Sequence, residues 1–178
     1  MKAPAVASLA LVSGLVTSAA LAQSPARSCV RVEVSSAAPA APASRSVLVP
    51  SSPSFSVSRI LDLTFTVLFA SAMDGEHLVE LQVFTPDGHL YRSLAMPVAR
   101  SVAPNATRPV DGYARPLPQQ ALKQVIRGRG PFAAASTTFP VGGTDIVSSG
   151  LYGRWRVEAY LDGAEQRCAP AAPFTLDP

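Results

Sequence analysis

The side chains best suited to chemistry in this chain are two histidines, His77 and His89, with Asp74, Glu76 and Asp87 close by in sequence. Imidazole beside carboxylate is the composition of a zinc site or of a general base held by an acid. Spacing opposes a shared metal. If Phe84 faces His89 across a hairpin turn, His77 lies about seven residues further down the strand, roughly 23 Å away at strand rise. One ion cannot reach both. Each histidine is therefore expected to cap a turn or face solvent, and no metal or cofactor is expected.

Nucleophilic catalysis needs a serine or cysteine within reach of a base that a third group orients. Serines are plentiful, but no Gly-x-Ser-x-Gly elbow occurs, and Ser148-Ser149-Gly150 lacks both the first glycine and a neighbouring histidine. The carboxylates are scattered over turns and polar strand positions, without the facing pair that a glycosidase uses. Gly128-Arg129-Gly130 is too short for a phosphate loop and leads into no helix. No catalytic residue is expected, and the remaining enzyme reading is a hydrolase whose site is assembled only in space.

Two binding chemistries remain. Arg127, Arg129, Arg154 and Arg156 form an anion-binding patch if folding gathers them, and a solvated strand face if it does not. Tyr91, Tyr113, Tyr152, Tyr160 and Trp155 raise the idea of aromatic stacking on sugar. Trp155 shares its parity with Val157 and Leu161 and belongs to a core, which leaves Tyr91 and Tyr160 as the sugar-facing pair. The candidate ligand surface is thus Tyr91, Arg127, Arg129, Arg154, Arg156 and Tyr160. A net charge of +3 over 178 residues is mild, so neither a nucleic-acid partner nor a general membrane partner is expected.

The elements that must position these groups follow a leader. Lys2, an apolar stretch from Ala5 to Val16, and Ala20-Leu21-Ala22 before Gln23 have the three-part form of a secretory signal peptide over residues 1–22. Ser13, Gly14, Thr17 and Ser18 interrupt the apolar run, so no membrane-spanning segment is expected once it is removed. The destination is periplasmic or secreted. There the two cysteines, Cys29 and Cys168, have one intramolecular pairing. Closing a loop of about 140 residues stabilises the fold by roughly 5 kcal/mol at most in the chain-entropy account. The bridge is expected to clasp the first strand to the last.

Residues 23–54 read as one short strand, Cys29 to Val34, followed by an Ala/Ser/Pro-rich tether in which only Val47-Leu48-Val49 has strand character. Residues 55–178 read as the main domain. Ile60 to Ala70 alternates Leu61, Leu63, Phe65, Val67 and Phe69 against Asp62, Thr64 and Thr66. Leu78 to Phe84 alternates likewise. Thr85-Pro86-Asp87-Gly88 supplies a turn, and the chain returns through Met96 as a hairpin. Pro97 to Pro118 is a proline-rich surface excursion that includes the acceptor-like Asn105-Ala106-Thr107. Gln119 to Ile126 fits a helical turn or a strand equally. Phe139 to Gly143 reads as a strand fragment ending in a turn. Arg154 to Leu161 places Trp155, Val157, Ala159 and Leu161 inward, and Asp162-Gly163 is a strong hairpin signal.

The segment Gly150-Leu151-Tyr152-Gly153-Arg154-Trp155-Arg156-Val157-Glu158-Ala159-Tyr160-Leu161-Asp162-Gly163 resembles the closing hairpin of immunoglobulin-like domains of bacterial envelope and macroglobulin-type proteins. Leu81 to Gly88 resembles their middle hairpin. The resemblance covers about residues 55–178. It departs from the antibody pattern, where the tryptophan lies between two bridged cysteines. It implies an all-β fold, an immunoglobulin-like antiparallel sandwich of about seven strands. Fold likeness carries no function by itself; export, sandwich-like patterning and the missing catalytic constellations lead to the expectation of a non-catalytic interaction or accessory module of the cell envelope, bound to a protein partner through the loops at Arg100 to Gln120 and Arg127 to Gly130. The alternative is a carbohydrate-binding module with polysaccharide as partner.

Overall fold

A computed structural model describes residues 29–36, 52–70, 73–128 and 130–178 of the chain. The expected leader over residues 1–22, Val47-Leu48-Val49 and Arg129 lie outside the described residues. Period-two patterning drives the architecture: alternating apolar residues can bury one face of a strand only by stacking it on another sheet. Twelve strands result among the described residues, against an expectation of about seven, and eight of them run five residues or longer. They are β1 (Cys29–Ser36), β2 (Ser54–Ser56), β3 (Asp62–Phe69), β4 (Glu76–Phe84), β5 (Leu90–Ala99), β6 (Thr107–Arg108), β7 (Leu117–Pro118), β8 (Gln120–Ala121), β9 (Lys123–Arg127), β10 (Gly130–Pro140), β11 (Gly153–Leu161) and β12 (Ala172–Asp177). The one helix among the described residues is the single turn α1 (Asp145–Ser148), capped by the Thr144 side chain.

A four-stranded sheet has the order β1-β3-β10-β9, and a six-stranded sheet the order β2-β12-β11-β4-β5-β8. A third sheet pairs only β6 with β7. Pairing is antiparallel except for two short parallel contacts, β2 with β12 and β5 with β8. The N-terminal strand β1 pairs with β3 at one edge of the four-stranded sheet. β8 and β9 settle the ambiguous stretch after Gln119 as strand.

The two larger sheets share one core. Phe65 and Phe139 from the four-stranded sheet stack at 5.2 Å, and Phe65 meets Phe174 of the opposite sheet at 5.8 Å. Trp155 lies 6.3 Å from Phe139 and 6.2 Å from Phe174. It is 1% exposed, and its indole N–H donates to the Leu151 carbonyl at 3.0 Å, which removes the cost of burying that donor. Leu63, Val67, Val79, Leu81, Val83 and Val157 are buried as their alternation predicts, with Leu161 partly buried against them.

Leu61 departs from the alternation and is 76% exposed. Its carbonyl accepts both the Val141 and the Gly142 N–H, each at 2.8 Å, so it closes a turn before β3 begins and its side chain faces water. Leu68 departs in the other direction and is fully buried although it opposes the core face. β10 extends the expected Phe139 fragment to the longest strand among the described residues.

Cys29 and Cys168 form a disulfide with Cα atoms 5.1 Å apart. The clasp joins the start of β1 to the connection before β12, where the Cys168 N–H donates to Ala159 at 2.8 Å. Among the described residues no helix is long and apolar enough to cross a membrane.

Candidate functional site

Along β4 and β11 the residues between the core positions point outward, and they gather on the outer face of the six-stranded sheet. Glu158 is the centre of one group. Its carboxylate accepts from Arg156 Nε at 3.1 Å, from the Tyr160 hydroxyl at 2.9 Å and from Arg167 at 3.3 Å. The Arg156 guanidinium also lies 4.0 Å over the Phe84 ring, a cation–π contact across the Arg156–Phe84 strand pair. Burial, followed by the bond to Glu158 and its charge, pushes the Tyr160 hydroxyl above its ordinary range.

One strand over, Glu80 is fixed through a single oxygen. Ser93 Oγ donates to Glu80 Oε1 at 2.7 Å and Gln82 Nε2 donates to the same atom at 3.0 Å. A register of Phe84 facing His89 would set Glu80 directly opposite Ser93. An irregularity between Val83 and Phe84 moves the pairs to Phe84–Leu90 and Glu80–Ala95, and Ser93 reaches Glu80 diagonally.

The proline-rich excursion forms the wall beside this carboxylate. Val110 to Tyr113 make a turn closed by the Tyr113 N–H on the Val110 carbonyl at 3.2 Å, with Gly112 at φ 83° as this turn requires. The turn aims Tyr113 at the part of the β5 edge that β8, paired only at Val98 and Ala99, leaves open. Its hydroxyl accepts the Ala95 N–H at 2.9 Å and lies 3.4 Å from the Ser93 carbonyl, standing in for the strand that would otherwise pair there. Between wall and sheet runs a groove of about 530 Å³, with Leu78, Glu80, Ser93 and Ala95 on one side and Val110 to Tyr113 on the other.

Of the six residues expected to make one ligand surface, the five that are described are not brought together. Arg154, Arg156 and Tyr160 share the outer face of β11. Tyr91 lies on the opposite, inner side, edge-on to Trp155 at 5.3 Å and to Phe139 at 6.0 Å. Arg127 belongs to the other sheet, where its Nε donates to Glu33 at 3.0 Å. Burial alone would raise the Glu33 carboxyl, but the bonds from Arg127 and Arg31 outweigh it and hold the group below its usual range. The Tyr91–Tyr160 sugar platform is corrected by this placement: strand alternation and the β5 register put the two rings on opposite sides of one sheet.

The histidines sit at opposite ends of the β4–β5 hairpin, His77 opposite Val98 and His89 in the turn. Thr85 and His89 close that turn: the Thr85 N–H donates to the His89 carbonyl at 2.9 Å, and the His89 N–H donates to the Thr85 hydroxyl at 3.1 Å. His77 does more than face solvent. Its Nδ1 lies 2.7 Å from Asp162 Oδ2 and its Nε2 lies 2.8 Å from the Asp74 carbonyl oxygen. Both partners are acceptors, so only the doubly protonated ring satisfies both. Asp162 also receives the Leu78 N–H at 2.8 Å while holding a left-handed φ of 53° in the Asp162-Gly163 turn. No group of three metal-ligating side chains occurs among the described residues.

Comparison with family models, with curated proteins and with solved structures finds no match to this chain. Glu80 and Ser93 were absent from every expected surface, whereas Asp111 and Tyr113 fall within the Arg100 to Gln120 loop expected to meet a protein partner. Parity on β4 would have placed Glu80 outward, but only the folded excursion sets Asp111 and Tyr113 beside it.

Proposed function

We propose that this chain is an exported, non-catalytic interaction module of the cell envelope, an immunoglobulin-like sandwich that docks a protein partner in the groove between the Tyr113 turn and the outer face of β4 and β5. The observation that carries the reading is the groove itself, held open by a tyrosine that spends its hydroxyl on the β5 edge rather than on the core. Recognition by a loop braced on a rigid sheet is a recurrent arrangement. The Cys29–Cys168 bridge supports export, since such bonds persist in oxidising compartments.

Two features favour binding over catalysis. The Ser93 hydroxyl meets a carboxylate rather than an imidazole, and that oxygen is shared with the Gln82 amide, which draws on the same lone pairs. Tyr113 is occupied in holding the wall. A sugar-binding reading loses its paired tyrosines to opposite sides of the sheet.

The test is a groove-filling substitution, Ala95→Trp. Chemical cross-linking in envelope extract should yield an adduct with the wild-type protein that is lost in the variant, at unchanged circular dichroism and melting temperature. Equal adducts from both proteins would remove the groove from the docking surface.

A further inference from the structure

The groove's chemistry narrows the partner, and the narrowing rests on the docking reading just given. Among the described residues that line it, the groove has two carboxylates, Glu80 and Asp111, and no basic side chain, in a chain whose net charge is +3. Its remaining floor and wall are largely apolar, through Leu78, Ala95 and Val110. Glu80 is presented rather than neutralised. Both of its side-chain bonds fall on Oε1, so the carboxylate is held in one orientation while Oε2 faces no donor among the described residues.

We infer that the groove takes a lysine or arginine side chain from an extended segment of the partner protein, its aliphatic stem on Leu78, Ala95 and Val110 and its charge toward Glu80 and Asp111. Long basic side chains have this division: an apolar stem that covers hydrophobic surface and a charged head that seeks acceptors. A divalent cation fits less well, because it wants six or more oxygen ligands and the apolar floor supplies none. At about 530 Å³ the groove has room for such a side chain together with the backbone that carries it.

The experiment titrates the folded protein, followed by amide NMR shifts, with acetyl-Ala-Val-Lys-Val-Ala-amide and with the same peptide carrying norleucine in place of lysine. The lysine peptide should shift the amides of Glu80, Ala95, Gly112 and Tyr113 saturably and bind about ten-fold tighter than the norleucine peptide at low salt, with the gap closing as salt is raised. Glu80→Gln and Asp111→Asn should each weaken the lysine peptide about five-fold or more. Glutamine keeps an oxygen for Ser93, so an unchanged melting temperature separates lost charge from lost fold. Equal affinity for the two peptides, shifts mapping elsewhere, or no shift at all overturns the inference. If Ala95→Trp abolishes the partner adduct while Glu80→Gln and Asp111→Asn leave it intact, the groove stands as the docking site and the cationic occupant falls. If Ala95→Trp changes nothing, the docking reading itself falls.

Discussion

The two faces of the six-stranded sheet are built by the same strands, one residue out of step, and they hold together by different physics. On the inner face Val79, Leu81, Val83, Trp155, Val157 and Ala159 are all buried, and the gain comes from apolar area removed from water, which needs no particular pairing. On the outer face Glu80, Gln82, Phe84, Arg156, Glu158 and Tyr160 are satisfied pair by pair, partly by polar neighbours two residues along the same strand and partly by the cross-strand Arg156–Phe84 and Ser93–Glu80 contacts, which fail if the register slips. Stability is thus concentrated on one side of β4 and β11. The other side is organised but energetically light, and a recognition surface can change there at little cost to the fold.

The largest expected effect tests the side that bears the stability. Replacing Cys29 and Cys168 together by Ser should lower unfolding free energy by up to about 5 kcal/mol, because a very long loop is released in the unfolded chain. Urea titration reads it, and a loss below about 1 kcal/mol would show that the clasp adds little to the core. Trp155→Ala comes next, at about 3 to 5 kcal/mol, from the cavity left among Phe139, Phe174 and Tyr91. A small loss there would move the indole out of the core and erase the contrast between the faces.

The matching test on the outer side is Tyr113→Phe. It removes one hydroxyl from an exposed edge, so the expected loss is about 1 kcal/mol. Hydrogen exchange at the Ala95 amide should accelerate while the Val157 amide is unaffected. Equal acceleration at both would mean that the wall and the core unfold as one unit.

The inner face was legible in the sequence because alternation is a local code, and β3, β4 and β11 carry it with few breaks. β10 was only half legible. Ala133-Ala134-Ala135 has no polar partner set, since all three residues are buried and small size rather than period is what that position demands. Leu61 was misplaced because the two hydrogen bonds on its carbonyl come from residues some eighty positions away, which no window of neighbouring residues contains. The groove was least legible for the same reason. Asp111 and Tyr113 sit in a proline-rich stretch with no periodicity, and they acquire a place only when Tyr113 finds the β5 edge. Of the expected ligand surface, Arg154, Arg156 and Tyr160 share a face because they share a strand, whereas Tyr91 and Arg127 reached it only by assumption about other strands.

The smallest effect lies at His77, where the sheet ends and its two faces meet the Asp162 turn. Burial alone would lower the ring's pKa, but the Asp162 bond and charge and the Asp74 carbonyl outweigh it, with Arg108 opposing, and the net shift is upward from 6.5. A raised folded pKa means that the protonated ring is favoured by folding. Its contribution is complete below the unfolded pKa and drains away as pH rises through the folded one. Stability should therefore decline from about pH 6 through neutrality into mildly alkaline solution. The other shifted groups leave this window clear: Glu33 loses its contribution only as pH falls below the carboxylate range, and Tyr160 only as pH climbs past the phenol range. Denaturant midpoints measured at half-unit pH steps should show the slope in wild type and a flatter profile in His77→Gln. Asp162→Asn sharpens the test, since asparagine tolerates the left-handed turn while removing the charge that holds the proton. A slope that survives both substitutions would place the titrating group elsewhere, and His77 would then be a neutral turn cap with one of its two acceptors unmet.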